Sequence, residues 1–184
     1  MRNSQYNFSA EQNIESSEIN SKLMLSILLN TDKNMEKILH MIIGAIGTGK
    51  SHLSSTLSKR YDIDILSADS MENLDNKDDT NFDPDGELVE ELFYRFDQGK
   101  PFILDGLNLT KASRTLFIDQ AHKNGYKVFV YDLGGGSDDS LKRRLKENRG
   151  VPDSRWIEIA KSNKECYKKP SKRIENIDRL YTLY

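Results

Sequence analysis

Apolar residues in this chain fall in short runs separated by longer amphipathic stretches. Ile38, Leu39, Met41, Ile42 and Ile43 make the first run, followed by IDILS at 63–67, PFILDG at 101–106 and KVFVYDL at 127–133. Runs this short and this continuously apolar predict strands covered on both faces, as in a parallel sheet. The intervening stretches have helical spacing. SHLSSTLSKR follows the first run, and in GELVEELFYRFDQGK the positions Leu88, Leu92 and Phe96 recur on one face until Gly99 stops the helix and Pro101 opens the next strand. Ser137 is placed to cap SLKRRLKENR, whose basic residues crowd toward its end before Gly150 and Pro152 break it. A further helix is predicted over DSRWIEIAKSNKECYKK, with Trp156, Ile159 and Tyr167 inward, and the tail ending in RLYTLY offers a last strand. This alternation predicts an α/β fold with a central parallel sheet of about five strands, helices on both faces and a short basic lid after residue 140.

The first 36 residues break the pattern. Residues 1–20 are rich in Asn, Ser, Gln and Glu and are expected to be loosely packed, while SKLMLSILLNTDKN at 21–34 suits a short helix that packs on the domain or meets a partner. The domain division expected is therefore an N-terminal extension over 1–36 and one catalytic domain over 37–184. With 184 residues and 36% hydrophobic content, the chain can bury a sizeable core. The longest strongly apolar stretch, Leu23 to Leu29, is too short to span a bilayer, and Cys166 is the single cysteine, which excludes an intramolecular disulfide. A cytoplasmic location without membrane contact is the expectation. The net charge of −2 lacks the basic excess of a protein that coats nucleic acid, so any such contact must be local. Charge is segregated instead: residues 62–105 hold 14 acidic and 3 basic side chains, whereas 141–184 hold 13 basic and 6 acidic ones. The basic half therefore follows the predicted phosphate site.

That site is GAIGTGKS at 44–51, directly between a predicted strand and a predicted helix. Gly44, Gly47, Thr48 and Gly49 let successive backbone N–H groups curl around a phosphate, and the following helix adds the positive end of its dipole. Lys50 can reach the β- and γ-phosphates, and the Ser51 hydroxyl can ligand the Mg²⁺ that bridges them. ATP or GTP is the ligand implied. Ligand groups in open α/β sheets gather at the carboxyl ends of strands, where Asp69 and Asp105 fall. One can deprotonate an attacking hydroxyl and the other hold the metal, with the roles open to exchange. Arg149, with Arg143 and Arg144 earlier in the same stretch, supplies positive charge for a migrating phosphoryl group. Asn108 and Arg114 flank a predicted helix start on the acceptor side. His40, His52 and His122 have no metal-ligand spacing and read as structural or surface residues.

Together GAIGTGKS, the SADS turn, FILDGLNLTKASR, NGYKVFVYDL and ENRGVPDSRWIEIAKS resemble the polynucleotide 5′-hydroxyl kinase group of P-loop kinases, over roughly residues 38–180. The resemblance implies that Asp69 is the general base, Arg149 the lid arginine, Ser51 a Mg²⁺ ligand and Lys50 the group on the phosphoryl in flight. It also places Asp105 and Asn108 in the substrate-side motif. Three positions depart from the pattern. Ile46 stands where proline is usual, Glu72 stands where an arginine often grips an acceptor phosphate, and Arg144 and Arg149 are five residues apart, which leaves the role of Arg144 open. Glu72 would repel an acceptor phosphate and so weakens the polynucleotide choice without touching ATP use.

The activity expected is ATP- and Mg²⁺-dependent transfer of the γ-phosphoryl group to a hydroxyl, with a DNA or RNA 5′ end as leading acceptor. A kinase of a nucleoside, nucleotide, nucleotide sugar or other metabolite is the rival enzyme reading. A nucleotide-dependent switch or partner-binding protein, in which the N-terminal segment engages a partner and nucleotide binding or hydrolysis sets the state, is the rival from another class, and contact between copies of the chain is a further expectation.

Overall fold

The computed structural model describes residues 36–67, 87–106, 108–147 and 152–184. The N-terminal extension up to residue 35, with the helix expected at 21–34, lies outside these residues, as do Asp69, Glu72 and Arg149. Five strands form one sheet in which every pairing is parallel: β1 (Ile38–Ile43), β2 (Asp64–Ser67), β3 (Phe102–Asp105), β4 (Lys127–Asp132) and β5 (Arg179–Thr182), in the order β2-β3-β1-β4-β5. The helices are α1 (Lys50–Tyr61), α2 (Glu87–Gln98), α3 (Lys111–Lys123), α4 (Asp138–Glu147) and α5 (Asp153–Cys166). The tail strand expected from RLYTLY is β5, paired to β4 at the sheet edge.

All six β1 residues are buried, because helices cover the sheet on both sides. On one face Leu39, Met41, Ile43, Leu104, Val128 and Val130 pack with Leu92 and Phe96 of α2 and with Phe117, Ile118 and Ala121 of α3. Residues of the opposite parity point to the other face, where α1 buries Leu53 and Leu57. Local signals set the helix ends: the Thr110 hydroxyl accepts from the Ser113 N–H at 3.1 Å at the start of α3. Ser137 does the same for the Ser140 N–H at 3.2 Å and starts α4 two residues before the expected position.

One residue read as structural is buried in an unusual way. His40 sits on the α1 face, with its Nδ1 2.8 Å from the Tyr131 hydroxyl and its ring against Tyr61, Phe129 and Tyr131. Burial lowers its pKa to about 4. The consequence has a definite sign. Above about pH 6.5 the imidazole is neutral folded or unfolded, whereas between 6.5 and 4 only the unfolded chain takes up the proton. Stability should therefore fall by about 1.4 kcal/mol per pH unit as pH drops through that window. Urea titrations between pH 7.5 and 5 should show this limb in the wild type and a flattened one in His40→Phe; equal slopes in the two proteins would show that His40 does not titrate this way.

Candidate active site

The phosphate loop leaves β1 at Ile43 and enters α1 at Lys50. β1 lies between β3 and β4, which the chain reaches by departing in opposite directions, so the loop sits at the point where the strand order reverses. Register puts a carboxylate on each side, with Ile42 opposite Asp105 and Ile43 opposite Asp132. Two glycines are required by geometry. A Cβ on Gly47 would overlap the Ser140 carbonyl at the start of α4, and Gly49 holds φ +97° as the residue that caps α1.

Every residue from Ala45 to Thr48 is tied to something. The Ala45 N–H donates to the Gly134 carbonyl at 3.0 Å, and the Ile46 N–H to Asn163 Oδ1 at 3.0 Å. Arg143 donates to the Gly47 carbonyl at 3.2 Å. The Thr48 hydroxyl and the Lys50 ammonium both donate to the Ala45 carbonyl, at 2.8 and 3.0 Å. Ile46, in the position where the resembled kinases carry proline, thus uses an N–H that proline lacks. The first-turn amides of α1 have no carbonyl earlier in the helix to bond, so they make the anion-binding end of the loop. The exposed Ser51 side chain starts the same turn.

Asp105 ends β3 at 7% exposure, with its Oδ2 2.6 Å from the Ser54 hydroxyl, which is also 2.9 Å from the Lys50 carbonyl. Ser54, one turn along α1 from Lys50, therefore holds the carboxylate against the phosphate helix. Asp132, on the other side of β1, is fully buried and accepts from the Gly134 N–H at 3.0 Å and from the Tyr167 hydroxyl at 2.8 Å. Burial raises its pKa, opposed by those two hydrogen bonds, while burial and the neighbouring Tyr184 and Asp132 push the Tyr167 phenol up. Asp132 braces the turn whose Gly134 carbonyl receives the loop. A cavity of about 220 Å³ opens beside this turn, between Ala45 and Ile46 of the loop, Leu141 of α4, and Ile157, Lys161 and Lys164 of α5.

On the acceptor side Asn108 has φ +45°, and its Nδ2 is buried with no hydrogen-bond partner among the described residues. Arg114 is placed differently from a substrate contact. It is completely buried, pairs through Nε and Nη2 with both Glu175 carboxylate oxygens at 2.6 and 2.9 Å, and donates through Nη1 to the carbonyls of Asn108 and Leu109. Its guanidinium positions the turn that carries Asn108. Of the two adjacent lid arginines, Arg143 reaches the phosphate loop. Arg144 lies 4.4 Å above the Trp156 ring and binds α4 to α5.

The sequence family described as an AAA domain (AAA_33) matches residues 39–153, more than half of the chain. The chain belongs to this family. No curated protein matches it. Among solved structures, fungal RNA kinase is 14% identical with a TM-score of 0.54 and covers 82% of this chain and 76% of its own. Kti12 of Chaetomium thermophilum in complex with ADP-AlF3 is 19% identical, with a TM-score of 0.52 over 79% of this chain and 88% of the other. A gluconokinase from Sinorhizobium meliloti 1021 is 16% identical with a TM-score of 0.51, covering 80% and 81%. These likenesses establish a P-loop kinase fold for the AAA-domain chain, and their spread of names leaves the acceptor to be argued from the site.

Three residues at the site of this AAA-domain protein escape a reading of the sequence. Ser54 is one hydroxyl among several in SHLSSTLS, and Asn163 is a polar residue in a helix whose expected inward positions are apolar. α5 buries Trp156 and Asn163 while Ile159 is half-buried, because the face that meets the loop must supply an acceptor for the Ile46 N–H. Asp132 did leave a signal, an aspartate closing a strand just before three glycines.

Proposed function

We propose that this AAA-domain protein is an ATP- and Mg²⁺-dependent phosphotransferase that moves the γ-phosphoryl group to a hydroxyl, with a DNA or RNA 5′ end as leading acceptor. The observation that carries the proposal is the joining of two parts: a loop ending in Lys50 and Ser51, and a strand-end carboxylate, Asp105, tied to the helix of that loop through Ser54 at 2.6 Å. A binding module needs the loop. A hydroxyl kinase needs carboxylates beside it as well.

The residues fit a magnesium ion of the kind such kinases use. The Ser51 hydroxyl and the Asp105 carboxylate are hard oxygen donors of the type Mg²⁺ prefers, and few protein ligands suffice because phosphates and water complete the shell. No cluster of three His, Cys, Asp or Glu side chains stands among the described residues to favour a transition metal instead. When bound, the ion neutralises phosphate charge. The chain does the rest: loop amides grip the β-phosphate, Lys50 meets the transferring group from its place beside the Ala45 carbonyl, and Asp69 accepts the proton of the attacking hydroxyl. A bond forms from the acceptor oxygen to the γ-phosphorus as the bond to the bridging oxygen breaks, and ADP leaves. Arg149 follows the charge from the lid, and the Asn108 amide donor, unpartnered among the described residues, is available to orient the acceptor.

Glu72 favours a second reading, a kinase for a small acceptor that carries no phosphate next to its hydroxyl. The two separate in one assay: transfer of labelled γ-phosphate to 5′-hydroxyl DNA and RNA oligonucleotides, beside nucleosides and sugars. Labelling of oligonucleotide ends is the expected result. Labelling of small acceptors alone would replace the polynucleotide reading, and labelling of nothing despite nucleotide binding would favour a nucleotide switch.

A further inference from the structure

The five hydrogen bonds that hold Ala45 to Thr48 do not act alike. Three come from the Gly134 turn after β4, from the loop itself or from the first residue of α1, and Arg143 reaches in from α4; Asn163 comes from the last turn of α5, beyond the lid segment. Asn163 is 3% exposed, and a buried carboxamide costs free energy unless it is hydrogen-bonded. Its Oδ1 accepts from the Ile46 N–H, one edge of the peptide plane joining Ala45 to Ile46. No peptide among the described residues is cis, so the carbonyl on the other edge of that plane must point the opposite way. That carbonyl belongs to Ala45. It receives both the Lys50 ammonium and the Thr48 hydroxyl.

We infer that Asn163 is a positioning residue for Lys50, acting through the single peptide plane between Ala45 and Ile46. With the N–H pinned to α5, the plane cannot rotate, so the Ala45 carbonyl stays turned into the loop and holds the ammonium beside the phosphate-binding amides. Without that acceptor only the Thr48 and Lys50 donors hold the plane, and the lysine's partner is no longer fixed from outside the loop. The entry to the loop is then no longer preorganised, and part of the binding free energy must go to ordering it. Because α5 follows the lid, occupancy of the loop and the placement of α5 are also thermodynamically linked. The inference rests on reading Lys50 as the phosphate-binding lysine.

Two measurements test it without an acceptor, so a wrong kinase reading would leave them intact. The first is amide hydrogen exchange at Ile46 in the nucleotide-free protein. It should be slow in the wild type and at least tenfold faster in Asn163→Leu, which is close in size but cannot accept; fast exchange in the wild type overturns the proposal whatever the variants do. The second is a double-mutant cycle read by calorimetric binding of ADP and of a non-hydrolysable ATP analogue. Asn163→Leu should weaken binding about tenfold, whereas Ile46→Pro, which deletes the donor, should make the same Asn163 change nearly silent, within twofold. An equal loss in both backgrounds would mean that Asn163 merely supports α5, and no loss in either would mean that the peptide needs no pin. Either result overturns the assignment.

Discussion

Asp69→Asn should lower phosphoryl transfer by about a thousandfold while leaving ATP affinity within about threefold of wild type, because the general base proposed at this position contributes on the order of 10² to 10⁴ in rate and little to ground-state binding. The asparagine keeps the shape and loses the basicity. Lys50→Ala should behave differently, weakening nucleotide binding at least tenfold and reducing transfer by a similar thousandfold, since in the proposed reaction its ammonium meets phosphate oxygens in both the ground and transition states. The pair of variants therefore separates chemistry from binding. Single-turnover transfer and calorimetric ATP binding, run side by side, provide the check. If Asp69→Asn keeps more than a tenth of the wild-type rate, the base lies elsewhere, and Asp105 is then the carboxylate to replace next.

Arg114→Met should destabilise the fold by about 3 to 5 kcal/mol, since it leaves Glu175 as a buried charge without its partner. For a domain of this size that is a fall in Tm on the order of 10 °C. Arg114→Met combined with Glu175→Leu should recover much of the loss, because removing both charges also removes their desolvation cost. Recovery should stop short of complete, as the Ser171 N–H donates to Glu175 and the carbonyls of Asn108 and Leu109 accept from Arg114. Urea unfolding of the wild type, the single variants Arg114→Met and Glu175→Leu, and the double variant reads the cycle. A single Arg114→Met variant as stable as wild type would show that the pair can be broken without leaving a buried charge, and would remove the positioning role given to this arginine.

Much of the frame was legible because it rests on short-range physics. Continuous apolar runs such as 38–43 must be covered on both faces, amphipathic stretches between them must be the cover, and GAIGTGKS between a strand and a helix has few uses other than gripping phosphate. Asp105 could be placed at a strand end for the same reason. Arg114 shows where such reading stops. An arginine in the first turn of a helix after a strand reads as facing solvent or substrate, and only the fold brings Glu175, 61 residues later, against it in the core.

Asn163 makes the same point at the phosphate loop. Nothing near it in the chain distinguishes it from its polar neighbours, since its partner is a backbone N–H more than a hundred residues away. By itself the sequence determined the α/β sheet, the place of the phosphate loop and the class of ligand that loop can hold, all of which follow from periodicity and from residues adjacent in the chain. Only the tertiary structure decided which polar side chains are buried at the site and which lid-side arginine meets the loop. A hydrogen bond between distant segments depends on the packing of whole helices, and that packing is a property of the fold rather than of any local stretch.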